Sequence, residues 1–196
     1  MFWTGYIPLD LPTKESMTED EFFDFCAVNR DIRIERDEKG QILVMPPAGL
    51  ESDNHSVDIR GAIYDWNNLH KSGKVFGSSA GFTLPDTSVR SPDAAWLSKE
   101  KWESLSATEK KKFGHISPDF VVEVMSPSDD LPYMQHKMDK WIKNGVRLGW
   151  LIDSEEKVAY VYHADGSVTK INSFNNTLTG EDVLPGFSFN LDLLLH

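Results

Sequence analysis

Ser117-Pro118-Asp119-Phe120-Val121-Val122-Glu123-Val124-Met125 is the stretch on which the fold turns. Its apolar residues fall on both faces, which suits a central strand covered on each side. Proline at the entry costs little, because the first residue of a strand can lack an N–H. Side chains alternate along a strand, so Asp119, Val121, Glu123 and Met125 share one face and Phe120, Val122 and Val124 the other. Glu123 is then an ionisable group in the middle of an apolar strand. Such a carboxylate is costly unless it is paired, hydrogen-bonded or bound to a metal.

Working outward, Ser91-Pro92-Asp93-Ala94-Ala95-Trp96-Leu97 repeats the Ser-Pro-Asp step into an apolar strand. Asp93 and Asp119 both stand at strand beginnings. Asp119 and Glu123 are four residues apart, roughly 13 Å along a strand, too far to share one ion unless the strand bends. Asp93 on a neighbouring strand can approach Glu123 to within ~5 Å, so Asp93 with Glu123 is the preferred pair. The helix expected from about Asp130 to Lys143 has Leu131, Met134, Met138, Trp141 and Ile142 on one arc, with Lys137 at its edge and Gln135 flanking the other edge. Lys137 is the lysine that can reach inward, where a cation could orient a water or offset charge on a phosphate.

The remaining pattern is a first helix opening at Thr18 with a capping box to Glu21, a hairpin of Ile32 to Arg36 with Ile42 to Met45, and a second helix from about Ser52 to Leu69. Short strands follow around Gly77 to Gly81, then a polar helical segment from Lys99 to about Phe113. Leu148 to Ile152 is a further buried strand, and Val158 to Tyr162 forms a hairpin with Val168 to Ile171 across Asp165-Gly166. In the hairpin near the start, Ile32 and Ile34 are expected inward and Arg33 and Glu35 outward. The order predicts an α/β (α+β) fold, a mixed central sheet flanked by helices. At 196 residues, one domain over 1–196 is expected.

The formal net charge of −11 argues against a general nucleic-acid coat while leaving room for a local basic groove. No run approaches the ~20 apolar residues of a membrane span. Met1 to Ser16 lacks a basic segment followed by a long apolar one, so a cytoplasmic location is expected. One cysteine, Cys26, cannot form an internal disulfide, and its place on the apolar face of the first helix makes it a buried, inert thiol. The six histidines show no zinc-ligand spacing. Gly77-Ser78-Ser79-Ala80-Gly81 has no following lysine and is no phosphate loop. Lys110-Lys111-Lys112, with Lys99 and Lys101, reads first as a solvated face and second as a phosphate contact.

Pro92-Asp93, Pro118-Asp119 through Glu123 to Ser126-Pro127, Lys137-Met138 and Asn144 through Trp150 to Asp153 together resemble the Uma-two restriction endonuclease family, abundant in cyanobacteria. Cys26 to Asn29, Gly81 to Pro85 and Leu184 to Phe187 fit as well, so the resemblance covers nearly the whole chain. The family lies in the PD-(D/E)xK nuclease superfamily. The resemblance implies a restriction-endonuclease-like core with an added N-terminal helix and hairpin, Mg²⁺ (or Mn²⁺) on Asp93 and Glu123, and DNA as the substrate of metal-assisted hydrolysis. The chain departs from the superfamily pattern at Met125, where the lysine would stand. The resemblance places that lysine on the next helix, at Lys137, and offers Glu51 on the second helix as a further acidic member.

Each assignment has a structural counterpart. Glu123 with Lys137 can be a buried ion pair, Asp93 a turn cap, Asp119 a structural carboxylate, and Lys137 an ordinary helix lysine. The alternative function is a nuclease-fold binding or assembly module, such as a homodimer, with a weak metal site. A glycoside hydrolase using the carboxylate pair lacks an evident sugar-stacking cluster in sequence.

Overall fold

The computed structural model describes Ile7–Pro8 and residues 17–195. The reading of Met1 to Ser16 as free of a leader otherwise lies outside the described residues. In chain order the elements are β1 (Ile7–Pro8), α1 (Glu19–Val28), β2 (Arg33–Arg36), β3 (Ile42–Met45), α2 (Leu50–His70), β4 (Gly73–Gly77), β5 (Phe82–Thr83), β6 (Val89–Arg90), β7 (Ala94–Ser98), α3 (Lys99–Ser104), β8 (Gly114–His115), β9 (Phe120–Val124), α4 (Leu131–Lys143), β10 (Leu148–Asp153), β11 (Val158–His163), β12 (Val168–Ile171), β13 (Thr177–Thr179) and β14 (Ser188–Asn190).

The main sheet has the order β12-β11-β10-β9-β7-β4. β9 is central, parallel to β10 and antiparallel to β7. Its two faces are covered as the alternation requires. Phe120, Val122 and Val124 pack with Ile59, Ile63 and Trp66 of α2 and with the C-terminal residues Phe187 and Leu191. Val121 and Met125 pack with Met134, Met138 and Trp141 of α4. A second sheet, β1-β3-β2-β6-β5-β8, carries the N-terminal hairpin, and β13 pairs with β14.

Local chemistry explains the boundaries. The Thr18–Glu21 capping box closes the start of α1 as expected. Asp130 caps α4 by accepting the Tyr133 N–H, and Pro132 sits in the first turn, where its missing N–H is harmless. Gly145, at φ 96°, turns the chain out of that helix into β10.

Two expectations need correction. The polar segment from Lys99 is not one helix to Phe113: α3 ends at Ser104, and a single 3-10 turn, Glu109–Lys111, follows. Leu105 is buried there in an extended conformation, so core packing wins over helical propensity. The β2 alternation is not kept either: Arg33 and Ile34 are both half-buried, and Glu35 and Arg36 are both buried. Glu35 is 1% exposed while Ile32 is 42% exposed. Charged partners waiting inside the fold, described below, outweigh the hydrophobic pattern of a four-residue strand.

Candidate functional site

The register of the main sheet builds the site. Ala94 of β7 stands opposite Val122 of β9, so the preceding residue, Asp93, falls beside Glu123. Asp93 Oδ2 accepts the Val124 N–H at 2.9 Å, which fixes its carboxylate at the end of β9. Both carboxylates line a cleft of about 300 Å³. Arg33 of β2, Gly49 and Ser52 at the start of α2, Ser126 and Asp129 after β9, and Lys137 of α4 complete much of its wall.

Lys137 arrives from α4 as the helical arc predicts, and it is 6% exposed. Its Nζ lies 2.9 Å from Glu123 Oε1 and 3.0 Å from Oε2. Trp141, one turn further along α4, donates its indole N–H to Glu123 Oε1 at 2.8 Å. The same Nζ is 3.5 Å from Glu35 Oε1. Glu35 in turn accepts from Arg90 Nη1 at 3.0 Å and from the Ser91 N–H at 2.9 Å. The result is a buried chain of alternating charge: Arg90, Glu35, Lys137, Glu123, with Asp93 alongside.

The field in this cluster is uneven. Burial pushes the Glu123 carboxyl up to about 7, with Asp93 and Glu35 adding to the rise and Lys137 opposing it. Burial also raises Asp93, against the pull of Lys137, the Val124 N–H and Arg33. For Glu35, burial is outweighed by Lys137, Arg90 and the Ser91 N–H, and its carboxyl is held below the ordinary range. Burial alone would lower Lys137, but Glu123, Glu35 and Asp93 hold it above the ordinary lysine value. Lys137 is therefore a fixed cation, while Glu123 is poised to take or release a proton near neutrality.

The other sequence-derived candidates lie elsewhere. Asp119 is buried at the opposite end of β9, where it accepts the Ser98 N–H at 2.8 Å and pairs with Lys101 at 3.1 Å. Its role is to tie β9 to the start of α3. Glu51 is exposed and does not line the cleft; the α2 residues that do are Ser52 and Ser56. The helix begins at Leu50, two residues before the expected start, so its inward positions fall on serines. Gln135 is half-buried and also outside the cleft wall. Of the lysine group, Lys112 pairs with Asp20 at 2.6 Å at the surface, Lys101 pairs with buried Asp119, Lys110 lies over the Trp102 ring, and Lys99 and Lys111 are exposed. Cys26 is half-buried, and desolvation raises its thiol to about 11.

Glu35 and Arg90 are the residues that sequence reasoning missed. Their signal was faint: a charged residue on each of two short strands, far apart in the chain, with opposite sign. Nothing local says that they meet.

Among the described residues no group of three or more His, Cys, Asp or Glu converges as a metal cage. What the cleft offers is the adjacent carboxylates of Asp93 and Glu123, with Asp129, held by Ser126, also in its wall: hard oxygen donors without a His or Cys ligand. That donor set fits a hard cation that keeps several of its own waters, as Mg²⁺ does, and does not fit a structural zinc.

A mixed sheet flanked by helices thus sets an Asp, a Glu and a Lys around the exit of its central strand. The chain belongs to the Uma2 family, described as "Putative restriction endonuclease", which it matches over residues 19–193. It is similar in fold to a crystal structure described as "a putative nuclease belonging to DUF820" from Anabaena variabilis. The TM-score is 0.72 at 17% identity, over 91% of this chain and 97% of that one. No curated protein matches the sequence. No described helix is long and apolar enough to cross a membrane.

Proposed function

We propose that the protein is a metal-dependent endonuclease that hydrolyses phosphodiester bonds of DNA, with Asp93 and Glu123 holding Mg²⁺ or Mn²⁺ and Lys137 acting beside them. The observation that carries this reading is the contact of Lys137 with both oxygens of Glu123 in a cleft shared with Asp93. A bound divalent ion supplies Lewis acidity toward a phosphoryl oxygen and a more acidic water.

The chain's own residues do the rest. Asp93 is anchored by the Val124 N–H, so its remaining oxygen faces the cleft with its direction set. Glu123 is gripped by Trp141 and Lys137, which limits its rotation. Lys137 stays protonated because three carboxylates surround it, so it can hold a water by hydrogen bonding or balance charge on the phosphate. Arg33 lies 3.8 Å from Asp93 on the cleft wall, where it can meet a phosphate oxygen.

The test is cleavage of duplex plasmid and of single-stranded circular DNA in Mg²⁺ or Mn²⁺, for the wild type, Asp93→Asn and Glu123→Gln, with Mn²⁺ titration by calorimetry alongside. Both substitutions are expected to abolish cleavage and Mn²⁺ binding. Undiminished cleavage in Glu123→Gln sinks the assignment. The same pairing of Glu123 with Lys137 favours a second reading, a nuclease-fold binding or assembly module in which the ion pair is structural. Absence of divalent-ion binding by the wild type, with and without DNA, selects that reading.

A further inference from the structure

A second cleft, of about 330 Å³, opens beside the carboxylate cleft. Arg33 and Met45 line both, and Ser91, two residues before Asp93, reaches the second one. Its walls have a different character. Phe23, Phe113, Ile32 and Ile34 make them aromatic and apolar. Phe23 and Phe113 meet edge to face with ring centroids 5.1 Å apart. A Cβ on Gly81 would come within 2.5 Å of the Phe113 ring, so only glycine lets the chain pass this close. Two arginines share this lining, and Lys112 lies over the Phe23 ring at 5.6 Å from its centroid. Arg30 is exposed at the rim, its Nε donating to the Ala27 carbonyl at 2.9 Å. Arg33 is half-buried, and its Nε is shielded from solvent without a hydrogen-bond partner. Asp31 also lines the cleft. Two arginines lining one aromatic cleft stand out in a chain of net charge −11.

Aromatic faces with flanking arginines bind the bases and phosphates of single-stranded nucleic acid, because every base has a face to stack. A base inside a duplex is already stacked on both sides and cannot enter an apolar pocket without being extruded. The size lies at the low end for small-ligand sites. We infer that this second cleft seats one unpaired nucleotide adjacent to the scissile phosphate, its base against Phe23, Phe113 and the two isoleucines and its phosphate on Arg33. The inference rests on the nuclease reading of the neighbouring carboxylates and narrows its substrate. The favoured nucleic acid is single-stranded, or carries an unpaired stretch at the cut site.

Binding is measured without metal, in EDTA, so that no cleavage intervenes. Fluorescence anisotropy follows a labelled short oligothymidylate and a duplex of the same length at low salt. The single strand is expected to bind about tenfold more tightly than the duplex. Phe23→Leu keeps an apolar side chain but loses the ring, and Arg30→Glu reverses an exposed charge. Each is expected to weaken single-strand binding about tenfold and to leave thermal melting near that of the wild type. Lys143→Glu, exposed at the far end of α4, is the charge control and should leave single-strand binding unaltered. Equal or tighter duplex binding overturns the unpaired-nucleotide cleft while leaving a nuclease in place. Unchanged single-strand binding in both Phe23→Leu and Arg30→Glu overturns it equally. Failure of both nucleic acids to bind in EDTA overturns the cleft assignment, while the nuclease reading stands or falls on metal-dependent cleavage.

Discussion

Lys137 Nζ stands between two carboxylates from different sheets, 2.9 Å from Glu123 of the main sheet and 3.5 Å from Glu35 of the N-terminal one. The second contact matters because a ligand drawn to Glu123 competes for the same oxygens as Lys137. Glu35 leaves the lysine a partner when that competition occurs. The N-terminal hairpin is thus part of the site's electrostatics, although it contributes no side chain to the carboxylate pair.

Replacing Glu35 by Gln strips Arg90 and Lys137 of a buried partner. Removing one member of such a pair costs roughly 3–5 kcal/mol, since the other charge stays buried. Urea unfolding is expected to show a loss of that order. The double substitution Glu35→Gln with Arg90→Gln should recover part of it, because both charges leave together. A single variant as stable as the wild type contradicts the network.

Lys137→Met keeps an unbranched apolar stem, one atom shorter, while removing the charge. Loss of a positioned group at the reacting centre slows catalysis by about 10²–10⁴-fold. The proposed hydrolysis should fall by that amount in a variant that is less stable in urea but still folded by circular dichroism at the assay temperature. Cleavage at the wild-type rate would make Lys137 a purely structural cation.

Asp119 and Glu51, both outside the cleft wall, test whether the metal sits on Asp93 and Glu123. Asp119→Ala removes the acceptor for the Ser98 N–H and the partner of Lys101. It should cost about 1–3 kcal/mol of stability in denaturant unfolding. Mn²⁺ affinity should stay at the wild-type level in this variant and in Glu51→Gln. Loss of ion binding in either places the metal somewhere other than Asp93 and Glu123.

Glu123 makes the metal-free protein sensitive to pH near neutrality. Its carboxyl titrates at about 7 in the fold against an ordinary 4.5. Between those values the folded chain keeps a proton that the unfolded chain has released. The stabilising contribution is therefore complete below the ordinary value and is lost as pH rises through about 7. Unfolding free energies of the wild type, measured against Glu123→Gln in EDTA, should fall across that window and run parallel outside it. A constant difference across the window would refute the raised value.

Cys26 offers a simple probe of the N-terminal helix. Desolvation holds its thiol near 11, with Arg36 only partly offsetting the burial. The thiolate is the reactive form, so maleimide or disulfide-exchange labelling at pH 8 should be much slower than for a free thiol. Rapid labelling of the folded protein means that α1 opens from the hairpin.

Much of this site is legible along the chain. An acid on an apolar central strand, a second acid at the start of a similar strand, and a lysine at the edge of an apolar helical arc each follow from a short-range period. Period two sets which residues of β9 share a face, and period 3.6 sets which lysine of α4 turns inward. The same reasoning separates Asp119 from Glu123 by distance alone. A local motif also marks the capping box at Thr18. These features depend on residues a few positions apart, so the sequence by itself determines them.

Tertiary structure decides the rest. The burial of Glu35 overturns the alternation of β2, because four residues of weak amphipathic pattern cannot outvote Arg90 and Lys137 placed across from them. The inward positions of α2 fall on Ser52 and Ser56 and leave Glu51 in solvent, a matter of where the helix starts and how it rolls on the sheet. The pairing of Asp93 with Glu123 needed a strand register that no spacing along the chain can supply. Short-range chemistry follows from the order of residues, but charge compensation across the fold exists only once distant strands have been brought together.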